Sequence, residues 1–452
     1  MKVPKVPPSR AELWAKVHDP ERVFKVFVTS GELSSGHAER YLSWDELLRR
    51  EPPGDLTHEE WWLAEKLHRE RGRRLVPVRD KAGAPFSYCL VDPIPERLHV
   101  IDQGAGGRIE MPKEIANPDT KDRYYVSSLI EEAITSSQIE GATTTRRVAQ
   151  EMLRTGREPR DHSERMIANN FRTMQRIGEL KSEALTADLV LELHRIVTDE
   201  TLDDPSAAGR LRRADEVVAV VGNHGEVYHE PPPAEELGER MDAMCRFANN
   251  ETPDGFVHPA LRSIILHFWL AYDHPFVDGN GRTARALFYW SMLHQGYWLF
   301  EFVSISSAIL ASSTQYGRAF LLTEVDDNDL TYFILYHLKV IQRAIDELHA
   351  YVERKASEVR SAESLLRTTV TLNHRQRALL SHALRHPRFR YTFDSHKNSH
   401  DVVYQTARTD LLQLAKLGLL TQQKIGRRMH FEAPADLEQR LPRIDGDETL
   451  RR

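Results

Sequence analysis

From Asp122 to about Arg354, apolar residues recur at the three-and-four spacing of an amphipathic helix, segment after segment. Val126, Leu129, Ile130, Ala133 and Ile134 form one such stripe, and the same period predicts helices near 164–183, 187–200, 234–249, 259–272, 280–296 and 328–354. This pattern makes the centre of the chain mainly α. One stretch breaks it: β-branched runs flank Gly222-Asn223-His224-Gly225 between Glu216 and Glu230, which predicts a hairpin stopped by the prolines at 231–233.

The flanking regions read differently. Before residue 120, Thr57 and Glu60 fit a capping box that opens a helix, and two short strands flank Lys81-Ala-Gly-Ala, so a small α+β domain is expected over 1–120. The helical domain then runs 121–355, and a polar, charged linker is read at 356–368. Helices at about 374–385 and 400–417, followed by two strands around Gly426, give a winged helix-turn-helix over 369–440 and a tail at 441–452.

A chain of 452 residues is long enough for several cores, and 40% hydrophobic with 28% charged residues is ordinary for a soluble protein. A net charge of −6 gives no global pull toward nucleic acid or anionic membranes. Cys89 and Cys245 are too far apart for a metal-ligand spacing. With no apolar leader and no spanning run, a cytoplasmic protein is expected, without membrane contact.

The segment from His274 to Arg285, HPFVDGNGRTAR, concentrates polar groups that a core does not require. Gly279 and Gly281 permit a tight turn with exposed N–H groups, and the helix that follows aims its positive dipole end at the same place. Arg282 and Arg285 lie three residues apart on its first turn. Two cations at a helix N-terminus oppose the dipole, so a polyphosphate anion is the economical explanation. Asp278 suits Mg²⁺, which is held by one or two carboxylates plus phosphates, Asn280 could orient a phosphate, and His274 suits a general base. His194 and His258 are read as packed, hydrogen-bonded histidines.

This segment resembles the Fic family motif at every fixed position, and the resemblance extends over roughly 122–355, including Gly209-Arg-Leu-Arg212. It implies a Fic helical core and transfer of AMP from ATP to a Tyr, Ser or Thr hydroxyl of a protein target or of the chain itself. By the resemblance, His274 would be the base, Asp278 the Mg²⁺ ligand, and Asn280 the α-phosphate contact. Gly279, Gly281, Arg282 and Arg285 would hold the remaining phosphates.

Ser136-Ser-Gln-Ile-Glu140-Gly141 ends the first helix of the core, with Gly141 at a position that favours positive φ. A carboxylate in a last turn is disfavoured by the dipole and calls for a cation, a solvated surface glutamate being the alternative. The resemblance implies an inhibitory motif in which Glu140 pairs with Arg285, supported by Ser136. It equally implies a reading in which Glu140 helps remove AMP, making the chain a de-AMPylating hydrolase.

The resemblance also makes the hairpin a flap that docks the target by strand addition through Val217, Val218, Ala219 and Val220, a structural cover being the alternative. In the C-terminal region Gln405, Arg408 and Thr409 could face a DNA groove, while Lys424, Arg427 and Arg428 sit on the wing. Use of this domain for packing or for a homodimer is the alternative. The rival to a dedicated enzyme is therefore a DNA-binding regulator with a nucleotide-sensing or self-modifying core.

Overall fold

The computed structural model describes residues 3–33, 41–106, 118–222, 225–253, 255–368, 372–386, 389–425 and 428–441. It is mainly helical, with three separate two-stranded antiparallel sheets. The chain divides into two compact units, Met1–Gly107 with Ser128–Ile345, and Arg108–Ser127 with Asp346–Arg452.

In the first unit, α1 (Arg10–Lys16), α2 (Pro20–Glu32), α3 (Trp44–Leu47) and α4 (His58–Arg71) lead into the hairpin β1 (Arg73–Arg79) and β2 (Pro85–Cys89), then α5 (Ile94–Ile101). The capping box at α4 forms as expected: Glu60 N–H donates to Thr57 Oγ1 at 3.2 Å and Thr57 N–H to Glu60 Oε2 at 2.7 Å. The central helices follow: α6 (Pro118–Ile139), α7 (Arg146–Thr155), α8 (His162–Leu180) and α9 (Ala187–Val197). Next come the hairpin β3 (Val220–Val221) and β4 (Val227–His229), α10 (Leu237–Ala248), α11 (Pro259–Asp273) and α12 (Asn280–His294). Short helices α13 (Ile305–Leu310) and α14 (Ser313–Val325) precede the long α15 (Thr331–Thr368).

α11 and α12 are buried almost all round, which is why their sequences are apolar on more than one face. Trp269, Trp290, Phe268, Phe276 and Phe288 are fully enclosed there. These two helices join at the His274–Gly279 turn, so the polar segment sits between two helices that are buried almost all round.

Two expected boundaries change. The first 106 residues are not separate from the core: Lys66 and Arg69 of α4 bond the buried Asp326, and Tyr41 donates to Asp329. Backbone bonds between Ser87 and residues 328 and 330 reinforce the seam. Buried charges left unpaired would cost several kcal/mol, so these partners, some 260 residues apart in sequence, hold the regions together. The stretch read as a linker at 356–368 is instead the end of α15. It contains no Pro or Gly, and eight of its thirteen residues are Ala, Glu, Arg or Leu, all strong helix formers.

In the second unit, α16 (His374–Arg385), α17 (Phe393–His400) and α18 (Tyr404–Lys416) precede the hairpin β5 (Thr421–Ile425) and β6 (Arg428–Glu432), with α19 (Leu437–Arg440) last. A bridge between Tyr391 and Phe431 adds a third extended segment to the hairpin. The core is Leu379, Leu380, Leu411, Leu414, Leu419 and Phe431. The described residues here give three helices and then a hairpin, with one helix, α17, more than the sequence reading gave. No helix among the described residues is long and apolar enough to cross a membrane.

Candidate active site

His274 caps α11 in the left-handed region, at φ 45° and ψ 57°. That conformation is uncommon for a residue with a Cβ and persists only when its surroundings fix it. Here Arg212 fixes it: its N–H donates to Pro275 O at 2.9 Å and its Nε to His274 O at 3.0 Å. The His274 Nδ1–H donates to Ala271 O at 3.3 Å, which leaves Nε2 as the lone-pair nitrogen. Burial holds the imidazole pKa down, to about 4, so the ring is neutral near pH 7 and able to accept a proton.

The turn after His274 is braced from within. Phe276 N–H donates to Asn280 Oδ1 at 3.0 Å, and Asn280 Nδ2 donates to Phe276 O at 2.8 Å. Buried backbone groups in a non-repetitive turn need partners, and the Asn280 amide supplies both. Asn280 thus braces the loop, a role the sequence reading did not give it, and its second Nδ2 hydrogen is not used in doing so. Residues 280–282 precede the first bond of the α12 ladder, from Thr283 N to Gly279 O, so their N–H groups face outward from the helix end. Gly279 is required here, with φ 80° and a position where a Cβ would meet Thr198 Cγ2 at 2.6 Å.

His194, read from sequence as a packed residue, shapes the same loop. It stacks on Phe276 with centroids 3.7 Å apart, accepts from Gly209 N–H at 2.9 Å and donates from Nε2 to Asp278 O at 2.9 Å. His258 caps α11 and contacts Asp102 Oδ2 at 3.0 Å, away from this turn.

The two arginines diverge. Arg282 donates to Val197 O at 2.9 Å and lies 3.3 Å from Asp278 Oδ2. Arg285 turns to the end of α6, where Nε donates to Ser136 Oγ at 2.8 Å and Nη2 to Ser136 O and Glu140 Oε1, both at 2.9 Å. Gly141 follows at φ 94° and lets the chain leave the helix there. The Glu140 carboxylate lies directly over the start of α12: a Cβ on Gly281 would sit 2.1 Å from Glu140 Oε1. Ser136, Glu140 and Arg285 thus meet as the resemblance implied, all within one chain.

Two buried donors, Arg282 Nε and Arg285 Nη1, have no partner among the described residues, and Arg285 Nη1 faces the same Gly281 position at 3.2 Å. Orphaned cationic donors beside a helix N-terminus fit a phosphate anion. Asp278 is 59% exposed at the mouth of this cradle. No three His, Cys, Asp or Glu side chains converge among the described residues, so a single carboxylate fits only a metal that arrives on phosphates.

Arg210 holds the start of the flap through two bonds to Glu216 at 2.6 and 2.8 Å, and Arg212, two residues on, bonds the turn. At its far end His229 donates to Tyr272 O at 2.6 Å and contacts Glu324 Oε2 at 2.8 Å. Val217, Val218 and Ala219 lie outside the strand, and Val220 begins it. Val217 is 89% exposed. Arg212, His194 and His229 were not singled out by sequence as site residues, and only the Gly209–Arg212 stretch gave a signal. Gln405, Arg408 and Thr409 lie exposed on α18 in the second unit, while Arg427 lies outside the described residues and Arg428 opens β6.

Residues 184–292 match the Fic/DOC family. The chain is 26% identical over 341 residues to "Protein adenylyltransferase Fic" of Nematostella vectensis, covering 72% of this chain and 71% of that protein. It is 30% identical over 164 residues to the protein of the same name from Drosophila ananassae, covering 35% of this chain and 31% of the relative. In structure it is similar to a Fic family protein from Desulfovibrio desulfuricans G20, with a TM-score of 0.52 at 18% identity over 77% of this chain and 98% of that one, a likeness of fold. With the complete His274–Arg285 segment seated at the α11–α12 junction of that fold, the chain carries a Fic domain over residues 184–292.

Proposed function

We propose that this chain transfers AMP from ATP to a hydroxyl side chain of a protein, and that Glu140 restrains the transfer. The observation that carries this reading is the meeting of a neutral His274 with an anion cradle whose second arginine is held by Glu140. His274 Nε2 takes the proton of the attacking hydroxyl, and the oxygen forms a bond to the α-phosphorus of ATP. The bond to the leaving pyrophosphate breaks in the same displacement. The N–H groups of residues 280–282 and the guanidinium groups of Arg282 and Arg285 stabilise the charge on the phosphates. Asp278 would hold Mg²⁺, which when bound neutralises phosphate charge.

In the resting arrangement Glu140 engages Arg285 and covers Gly281, so the outer phosphates cannot take that space. Named relatives carry the adenylyltransferase description, which supports the choice of nucleotide transfer over other phosphate chemistry. The test is incorporation of label from α-labelled ATP into protein by wild type, Glu140→Gly and His274→Ala. Incorporation should rise at least about tenfold in Glu140→Gly and vanish in His274→Ala. Equal labelling by wild type and Glu140→Gly would remove the brake, and labelling by His274→Ala would remove the base.

A further inference from the structure

The second unit has a charge pattern opposite to that of the chain. Residues 372–441 contain twelve Lys and Arg against six Asp and Glu, a net of +6, within a protein whose total is −6. The whole-chain charge therefore hides a strongly basic region, and a basic stripe on one element is the electrostatic footprint of a polyanion partner.

The arrangement of α18 sharpens this. Its inward stripe is Ala407, Asp410, Leu411 and Leu414, all buried. Its outward stripe is Gln405, Arg408, Thr409, Gln413 and Lys416, all exposed. Asp410 is the one acidic residue of the helix, and it is turned inside. It accepts from Asn373 Nδ2 at 2.7 Å, from Arg375 Nε at 2.7 Å and from His396 Nε2 at 3.2 Å. One buried carboxylate thereby locks α16, α17 and α18 together and leaves the solvent face of α18 with no negative charge. Val403 and Tyr404, at the helix start, are 68% and 48% exposed, an unusual placement for large apolar side chains. On the neighbouring hairpin, Thr421, Gln422, Gln423 and Lys424 are exposed.

We infer that α18 and the β5–β6 hairpin form a binding surface for double-stranded DNA, with α18 in the major groove and the hairpin along the phosphates. Arg and Gln are the side chains that pair bidentately with guanine and adenine edges, and apolar groups at a helix start suit the thymine methyl. Lys416 and Lys424 supply phosphate contacts without sequence preference. The surface is independent of the transferase reading, since none of its residues belongs to the His274 site.

The test is fluorescence anisotropy of the full chain with a labelled pool of short random-sequence duplexes, using His274→Ala so that self-modification cannot interfere. Saturable binding is expected that weakens by at least about tenfold between roughly 50 and 200 mM salt. Arg408→Glu and, separately, Lys424→Glu should each weaken it by about tenfold or more, with unchanged thermal unfolding. Absence of binding at low salt overturns the proposal, as does binding that neither substitution alters. A competing single-stranded RNA of equal length that displaces the duplex, or a dimer that Arg408→Glu converts to monomer without DNA being bound, likewise overturns it.

Discussion

The turn from His274 to Gly279 and the flap from Val217 to Val221 serve one proposed reaction but are built in opposite ways. In the turn almost every polar group is committed: Asn280 to Phe276, His194 to Asp278, Arg212 to His274 and Pro275. The flap is held at its ends by Glu216 and His229, while Val217 and Val221 are largely exposed and the strands pair only with each other among the described residues. Chemistry needs atoms fixed within fractions of an ångström, whereas docking an extended segment needs only a free edge. The contrast teaches that the nucleotide side is preorganised and the target side is left adaptable.

Four measurements would break or sharpen that contrast. His274→Ala should lower transfer by about a hundredfold or more in the Glu140→Gly background, followed by label incorporation, because the neighbouring His194 has its lone pair committed to Gly209 N–H. Val218→Pro, which removes a backbone N–H of the flap, should lower kcat/KM for a protein target by about tenfold and leave nucleotide affinity unchanged in calorimetry. An equal loss of nucleotide affinity would show the flap to be part of the cradle. Asn280→Ala should destabilise the nucleotide-free protein by about 1–3 kcal/mol, read as a fall in Tm, since it orphans both backbone groups of Phe276. A phosphate ligand with no bracing role would leave Tm alone. The smallest effect is with pH: a base whose pKa is held down to about 4 is present above that value and lost only as pH falls through it. The acid limb of kcat/KM for Glu140→Gly should therefore show less than about a twofold loss from His274 between pH 8 and pH 6.

Much of the site was legible because its residues are contiguous and chemically unusual. The glycines, the paired arginines and His274 announce an anion site in one short run, and the periodic helices around it follow from apolar spacing. The pairing of Glu140 with Arg285 was legible only through the resemblance, since the two are 145 residues apart. Asn280 shows the limit of residue type alone: an amide beside phosphate donors reads as a ligand, and only the geometry shows that it also satisfies both backbone groups of Phe276. The helix at Phe393–His400 was missed because Asp, Ser, His and Asn are weak helix formers and its one fully enclosed residue is His396, not an apolar one. The N-terminal region looked separate because Lys66 and Asp326 give no local sign of their pairing.

The seating of Glu140 on Gly281 has a kinetic consequence. The carboxylate and the arginine it occupies belong to one chain, joined through α6 and the packed core, so their encounter is unimolecular. On the proposed reading, the local concentration of this carboxylate is set by the fold and is unaffected by dilution. An activator acting only by mass action at Arg285 would have to outcompete a tethered anion. Release is better served by whatever moves the end of α6, and the resting rate of the protein should be the same at nanomolar as at micromolar concentration.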